Sequence, residues 1–383
     1  MAYSDFVKFL NQLSPQDRKK KRSLLSRPIQ QVDFDRIKNV SDLVDAYQDS
    51  SIQARNLGAC ADIYVRMLED KERPTIMLGL AGPLIAAGLR KVIRDMIHHN
   101  MVDVIVSTGA VMYQDFYQAQ GAEHYRGSSH ADDVQLRDLL INRIYDTYVD
   151  EEKFADFDTL VGRFAGTLEP RSYSTREFLY KLSETIDDPG SILVTARKKG
   201  VPIFCPAIAD SSLGIGLTEH YFQSRKNGKQ PITIDTIRDN YEITQLVVKS
   251  PRTAAFYVAG GVPKNYINDS IVMAYVFGRS TGGHKYAIQM TTDVPHWGGL
   301  SGSTLAEAQS WGKVNSKANF CQVFVEPSVS LPLIAGHAMQ KKAAKNRADL
   351  TLKWEGEQLK EFKIIKKNTK QPPAKKAAKK KSR

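Results

Sequence analysis

The sequence predicts an α/β fold, a parallel sheet with helices on both faces, and three observations carry that prediction. Between about residue 75 and residue 340, short β-rich apolar runs alternate with longer amphipathic segments. The runs are apolar at successive positions, so both faces of each strand are buried, as a parallel sheet requires. Several runs end in Gly, Ser, Thr or Asp, the residues that turn a strand into the helix following it.

In chain order, residues 1–34 read as an irregular helical segment ahead of the domain. "MAYSDFVKFLNQLSPQDRKKKR" puts acid and amide residues where a signal peptide needs an apolar core, and no apolar run reaches the ~18 residues of a membrane span. The expected strands are "TIMLGLA" (75–81), "VDVIVST" (102–108), "VPIFCPAIA" (201–209), "TAAFYVAGG" (253–261), "YAIQMTTD" (286–293) and "FCQVFVE" (320–326). Helical segments separate or follow them at "PLIAAGLRKVIRDMIHHN", "IDTIRDNYEITQLVVKS", "KNYINDSIVMAYVFG" and "SLPLIAGHAMQKKAAKN". The more polar stretch 110–200 reads as a helical excursion between two parts of the sheet. These readings divide the chain into a segment 1–34, a domain 35–345 and a basic tail 346–383.

Cys60, Cys205 and Cys321 stand far apart in no metal-like spacing, and two of them fall inside apolar strands. They read as buried thiols of a reducing compartment, so a soluble cytoplasmic protein without a metal centre is expected. The formal charge of +12 invites a nucleic-acid reading, but 366–383 holds nine Lys/Arg and no acid, leaving +3 for the other 365 residues. That Lys/Ala/Pro-rich stretch lacks the apolar residues to repay its ordering, so disorder from 366 is expected. It could make weak, sequence-independent contact with RNA, or serve only as a solvated tail.

In an open parallel sheet, ligands bind outside the carboxyl ends of the strands, at helix N-termini with free N–H groups. Gly82 follows the first strand, Ser107-Thr108-Gly109 the second, Asp210-Ser211-Ser212 the third and Gly260-Gly261 the fourth. One such turn is ordinary turn chemistry; four at equivalent edges favour a nucleotide site. No GxGxxG is present. Near the end of the chain, "AEAQSWGKVNSKANF" sets Lys313 after Trp311-Gly312 and between two apolar runs. A free lysine amine is neutral in only about one molecule in 2,500 at pH 7, so a nucleophilic one needs burial or neighbouring charge. Trp311 could desolvate it or present a π-face to a cation. A lone lysine is usually a solvated charge; the loop around it decides otherwise.

That loop, "EAQSWGKV", resembles the lysine loop of the deoxyhypusine synthase family. Further resemblance lies in His99-Asn100-Met101-Val102-Asp103-Val104, "PIFCPAIADSSLG", "AGGVPKN" and "VEPSVSLPL", together spanning about 35–340. The resemblance implies a Rossmann-like fold, a homotetramer, NAD as cofactor, and a 4-aminobutyl group carried as an imine on the loop lysine to a protein lysine. On it, Lys313 is the imine-forming lysine. Gly82, Pro83, Leu84, Ile85 and Ala86 occupy the first NAD turn, with Gly82-Pro83 where the family has Ser-Asn. Thr108 and Gly109 match the second turn, Asp210 the third, Gly260 and Gly261 the fourth and Thr292 the fifth. Glu326 stands where the family has an aspartate. A carboxylate there or at Asp210 suits a ribose hydroxyl pair, although Asp210 could equally cap the helix that follows it.

The amine side departs from that pattern. Tyr113-Gln114 replaces two glutamates, Ile215 an aspartate, Asn265 the histidine and Leu300 the aspartate of the lysine loop. Glu307 alone survives among the acidic polyamine contacts. The expected substrate contacts are Glu307, Trp311, Tyr113, Gln114 and Asn265. A buried ammonium demands a partner, so an amine with fewer charges than spermidine is expected. "STGAVMYQD" and "VPHWGGLSG" are similar to a bacterial deoxyhypusine synthase-like branch. Three activities stay open: transfer to a protein lysine, synthesis of a small polyamine (homospermidine-type or from a guanidino amine), and a non-catalytic scaffold with an RNA-binding tail.

Overall fold

The computed structural model describes residues 2–10 and 13–366. Its centre is a six-stranded parallel sheet: β1 (Thr75–Leu80), β2 (Val104–Ser107), β3 (Ile203–Phe204), β4 (Thr253–Val258), β5 (His284–Met290) and β6 (Val314–Val323). The order across the sheet is β6-β5-β4-β1-β2-β3, and every pairing is parallel. This is the doubly wound order, in which connections diverge from a switch point between β1 and β4.

Alternation along each strand builds two cores. Ile76, Leu78 and Leu80 of β1, Ala254, Phe256 and Val258 of β4, and Ile288 and Met290 of β5 face one core. Helices α1 (Ile52–Glu69), α2 (Arg90–His98) and α3 (Gly109–Ala119) contribute to it. Met77, Ala255, Tyr257 and Ala287 face the other. Beyond α4 (Ser212–Lys226), that second face is covered by α5 (Thr236–Lys249), α6 (Gly261–Val276) and α7 (Leu305–Ser310). Helix α8 (Pro327–Gln340) returns to the first face through Leu331, Ile334 and Ala335. No helix among the described residues is long and apolar enough to cross a membrane.

Local differences from the sequence reading have physical causes. The helix expected from residue 83 starts at Arg90. Gly88 there has φ +83°, and the Ala86 N–H donates to Gln114 Oε1 (3.1 Å) instead of to a helix carbonyl. The stretch 110–200 is mostly helical but also holds a small antiparallel sheet of 125–126, 141–144 and 147–150. Residues 349–365, read as part of a basic tail, form the antiparallel hairpin β7 (Asp349–Glu355) and β8 (Gln358–Ile365). It turns at Gly356 (φ +57°) and docks on α5, where Gln245 donates to Glu357 O (2.7 Å) and accepts from Leu359 N–H (3.0 Å). The disorder expected from residue 366 falls almost wholly outside the described residues.

A buried ion cluster ties this hairpin to the amino-terminal end of the sheet. Asp103 accepts from Arg73 (2.7 Å), from Arg347 and from the Ile76 N–H (2.8 Å). Burial raises its carboxyl, but the guanidiniums of Arg347 and Arg73 outweigh that and hold it at about 2. Asp103 of the 99–104 segment therefore serves the architecture.

Candidate active site

Lys313 sits at the bend between α7 and β6. Thr304 caps α7 by accepting from the Glu307 N–H (2.9 Å), and Gly312 at φ +68° allows the abrupt exit that a side chain would strain. The Lys313 N–H donates to Ala308 O, and its carbonyl accepts from the His284 N–H (2.9 Å). Its side chain is only 15% exposed and its Nζ lies 2.8 Å from Asp269 Oδ1. Trp311, 66% exposed, presents its ring 5.5 Å from the same Nζ. Asn265, one helical turn before Asp269 on α6, donates to the other carboxylate oxygen (2.9 Å). The structure thus joins Lys313, Trp311 and Asn265 and adds Asp269, which the sequence reading missed. An Asn/Asp pair at i, i+4 on the helix following β4 was its only trace.

A second lysine holds the neighbouring loop. Lys264 is 2% exposed; its ammonium donates to Gln289 Oε1 (2.8 Å), Ser301 O (3.3 Å) and Ser303 O. Burial lowers it to about 8, while the carboxylates of Glu307 and Asp293 pull the other way. Gln289 also donates to Ala259 O and Ser301 O, and Gln322 accepts from the Leu305 N–H (3.1 Å). These side chains fasten the 293–303 loop, carrying exposed Trp297 and Leu300, over the end of β4.

The turns expected to meet NAD do lie at the carboxyl ends of the strands. Gly82 has φ +88° with nothing within 4 Å of where a Cβ would stand, an open cradle beside the switch point. Thr108 precedes α3 without a side-chain cap, leaving the helix's first N–H groups available. Asp210 is exposed after β3, and the cap of α4 is Ser211 rather than Asp210. Thr292 is exposed after β5. Gly260 and Gly109 have packing duties: a Cβ would stand 2.6 Å from Ser301 Cα in the first case and 2.2 Å from Ser211 Oγ in the second. Leu84 and Ile85 are buried, Pro83 is exposed beside them, and Gly261 starts α6 at φ +59°. Glu326 caps α8 by accepting from the Ser328 N–H (2.7 Å), which engages one of its oxygens.

Tyr113 and Gln114 are not at an open surface. Tyr113 is 1% exposed, packs on Phe154 and donates to its carbonyl (2.9 Å); burial drives its hydroxyl upward. Gln114 is buried and bonded to Ala86. The adjacent Asp115 is consumed as well, accepting from Arg90 and from the Ile192 and Leu193 N–H groups. Ile215 is exposed on α4, and Glu307 is exposed on α7.

The geometry divides the candidate site. The cofactor-type turns stand at the carboxyl ends of β1 to β5, whereas Lys313 enters β6 at its amino end. β5 alone, seven residues long, separates those ends by roughly 20 Å. The Lys313 amine meets Asp269 eight residues into α6, roughly 12 Å below the helix start. In a single chain the two halves do not meet. Around the lysine, Val272, Tyr275 and Val276 of α6 and Trp311 form an exposed apolar face.

An open parallel sheet wound in this order is a doubly wound α/β fold, whose ligand crevice lies at the switch point between β1 and β4. Comparison with known proteins makes that more specific. Residues 42–338 match the deoxyhypusine synthase family. The deoxyhypusine synthase-like protein of Chlorobaculum tepidum is 42% identical over 348 residues, covering 89% of this chain and 95% of that protein. A probable deoxyhypusine synthase 2 of Methanosarcina acetivorans is 44% identical over 309 residues, 80% of this chain and 88% of its own. Among solved structures, a putative deoxyhypusine synthase from Entamoeba histolytica superposes with TM-score 0.57 at 21% identity, covering 82% of this chain and 97% of that one, a likeness of fold. The chain belongs to the deoxyhypusine synthase family, and that membership implies a transferase.

Proposed function

We propose that this protein is an NAD-dependent transferase that carries an alkylamine group, of the 4-aminobutyl type, as an imine on Lys313. The observation that carries the reading is the Lys313–Asp269 pair beneath Trp311, within the loop that resembles the family's lysine loop. Bound NAD would take hydride from the amine-bearing carbon. Gly82, the open start of α3 at Thr108–Gly109, and Asp210 fit that cofactor: the glycine lets phosphate approach the backbone, the helix start offers N–H groups, and the exposed carboxylate suits ribose hydroxyls. Trp311 presents a π-face to a cationic amine, Asn265 orients Asp269, and Lys264 holds the loop that closes over the end of β4.

A second copy of the chain completes the site on this reading, in keeping with the homotetramer that the family resemblance implies. The lysine half and the cofactor half lie at opposite ends of one sheet, and each needs a partner's complementary half. The exposed apolar face beside Lys313 supports this, since a patch of that kind marks a protein contact.

The donor we favour carries fewer charges than spermidine. Tyr113 and Gln114 offer no open carboxylate, Ile215 and Leu300 none at all, and Asp269 is already paired with Lys313. A buried ammonium left unpaired costs several kcal/mol. Initial rates with spermidine, putrescine, agmatine and homospermidine, each as sole amine with NAD, test this. Spermidine is expected to be slower than the doubly charged putrescine and agmatine. If it turns over fastest, with transfer to the hypusine-bearing translation factor, the altered-pocket reading fails.

A further inference from the structure

We infer that Asp269 is a catalytic residue, the carboxylate that carries the proton between the two nitrogens when an amine is exchanged at Lys313. The inference rests on the reading of Lys313 as the imine-forming lysine and adds a role that reading does not contain. Asp269 Oδ1 stands 2.8 Å from Lys313 Nζ. Its Oδ2 accepts from Asn265 at 2.9 Å, which fixes the plane of the carboxylate and leaves a second lone pair on that oxygen. The carboxylate is 42% exposed, so an incoming substrate can reach it, while the lysine beneath is nearly covered.

The chemistry needs such a group. Neutral Nζ attacks the carbon of a protonated substrate imine; a C–N bond forms, and the C=N electron pair moves to the substrate nitrogen. The resulting tetrahedral carbon bears two nitrogens, with the extra proton on Nζ. Before the original C–N bond can break, that proton must move to the departing nitrogen. Direct transfer would pass through a strained four-membered ring. A carboxylate within hydrogen-bond reach of both takes the proton from Nζ and returns it to the leaving nitrogen. The departing amine then leaves with the electron pair of the broken bond, and a protonated imine remains on Lys313. Protons and electrons balance without an oxidant. In the resting protein the same carboxylate pairs with the lysine ammonium, and one proton leaves that pair before attack.

1-Pyrroline, the cyclised form of 4-aminobutanal, isolates this step because it presents a ready-made imine and needs no NAD. The protein is incubated with 1-pyrroline and cyanoborohydride, and 4-aminobutylation is read peptide by peptide as a function of pH. Wild type is expected to label at Lys313 faster than at its other lysines. Asp269→Asn should slow Lys313 labelling about 100-fold or more, the range of general acid–base catalysis. Asp269→Ala should be equally slow and regain at least tenfold with added formate, a small carboxylate that can occupy the vacated space. Rescue by formate is a response that a packing role would not give. Wild-type labelling rates in Asp269→Asn would overturn the proton-carrier role and leave Lys313 standing. A slow Asp269→Ala that formate does not repair would also overturn it, in favour of simple positioning. Wild type that fails to label Lys313 would overturn the reading of the lysine and this inference with it.

Discussion

Replacing Lys264 by Met tests whether a cation is buried under the 293–303 loop. Lys264 is 2% exposed, donates to Gln289 and two loop carbonyls, and has no carboxylate among its bonded partners. Burial takes it from an ordinary 10.5 to about 8. At about 1.4 kcal/mol per tenfold change, that difference corresponds to about 3 kcal/mol, an order-of-magnitude upper figure. The sign follows from linkage: between pH 8 and 10.5 the unfolded chain binds the proton and the folded chain does not, so stability rises with pH across that window. Equilibrium urea unfolding at pH 7.5 and pH 10 reads the effect, and subtracting the Lys264→Met variant removes every other titrating group. Wild type should gain roughly 2–3 kcal/mol more than the variant between the two pH values. Equal gains would refute the buried-cation account.

Two further outcomes follow from the same structure. Asp103→Asn should cost about 3–5 kcal/mol at pH 7, measured by thermal or urea melts, because it strands Arg73 and Arg347 in the interior. In the wild type, the Asp103 contribution, about 2.5 kcal/mol by linkage, is fully present above about 3.8 and is lost as pH falls through about 2. If the site is shared between copies, Lys313→Ala and Asp210→Ala proteins, each inactive alone, should regain up to about a quarter of wild-type activity when unfolded, mixed and refolded, the statistical share of sites that keep both residues. Refolded mixtures as inactive as their components would mean that each site draws both residues from one copy of the chain.

The sheet was legible because its strands are apolar on both faces and end in turn residues; 75–81, 253–261 and most of 286–293 enclose or overlap the observed β1, β4 and β5. Strand β6 starts earlier than expected, at Val314, because polar Asn315, Ser316 and Lys317 hide its first half in the sequence. The hairpin at 349–365 was missed because lysines and glutamates intersperse its apolar residues, yet Leu350, Leu352 and Trp354 alternate and Gly356 marks the turn. The Lys313 loop could be read from its local pattern. Its partner Asp269 could not, since that pairing is made by α6 crossing beside the α7–β6 bend. Tyr113 and Gln114 read as pocket residues because they stand where the resembled family has two glutamates, but α3 packs that side into the core. A position on a helix start says where a residue lies along the chain, and packing decides which way it faces.

The central claim is that Lys313 carries the transferred group. It is tested most directly by incubating the full-length protein with NAD and each amine of the panel, adding borohydride, and locating the adduct by mass spectrometry. The account predicts an alkylamine adduct on Lys313, dependent on NAD and on the amine, and no turnover in Lys313→Ala. A Lys313→Ala protein with wild-type activity, or an adduct that forms on another lysine, would contradict it.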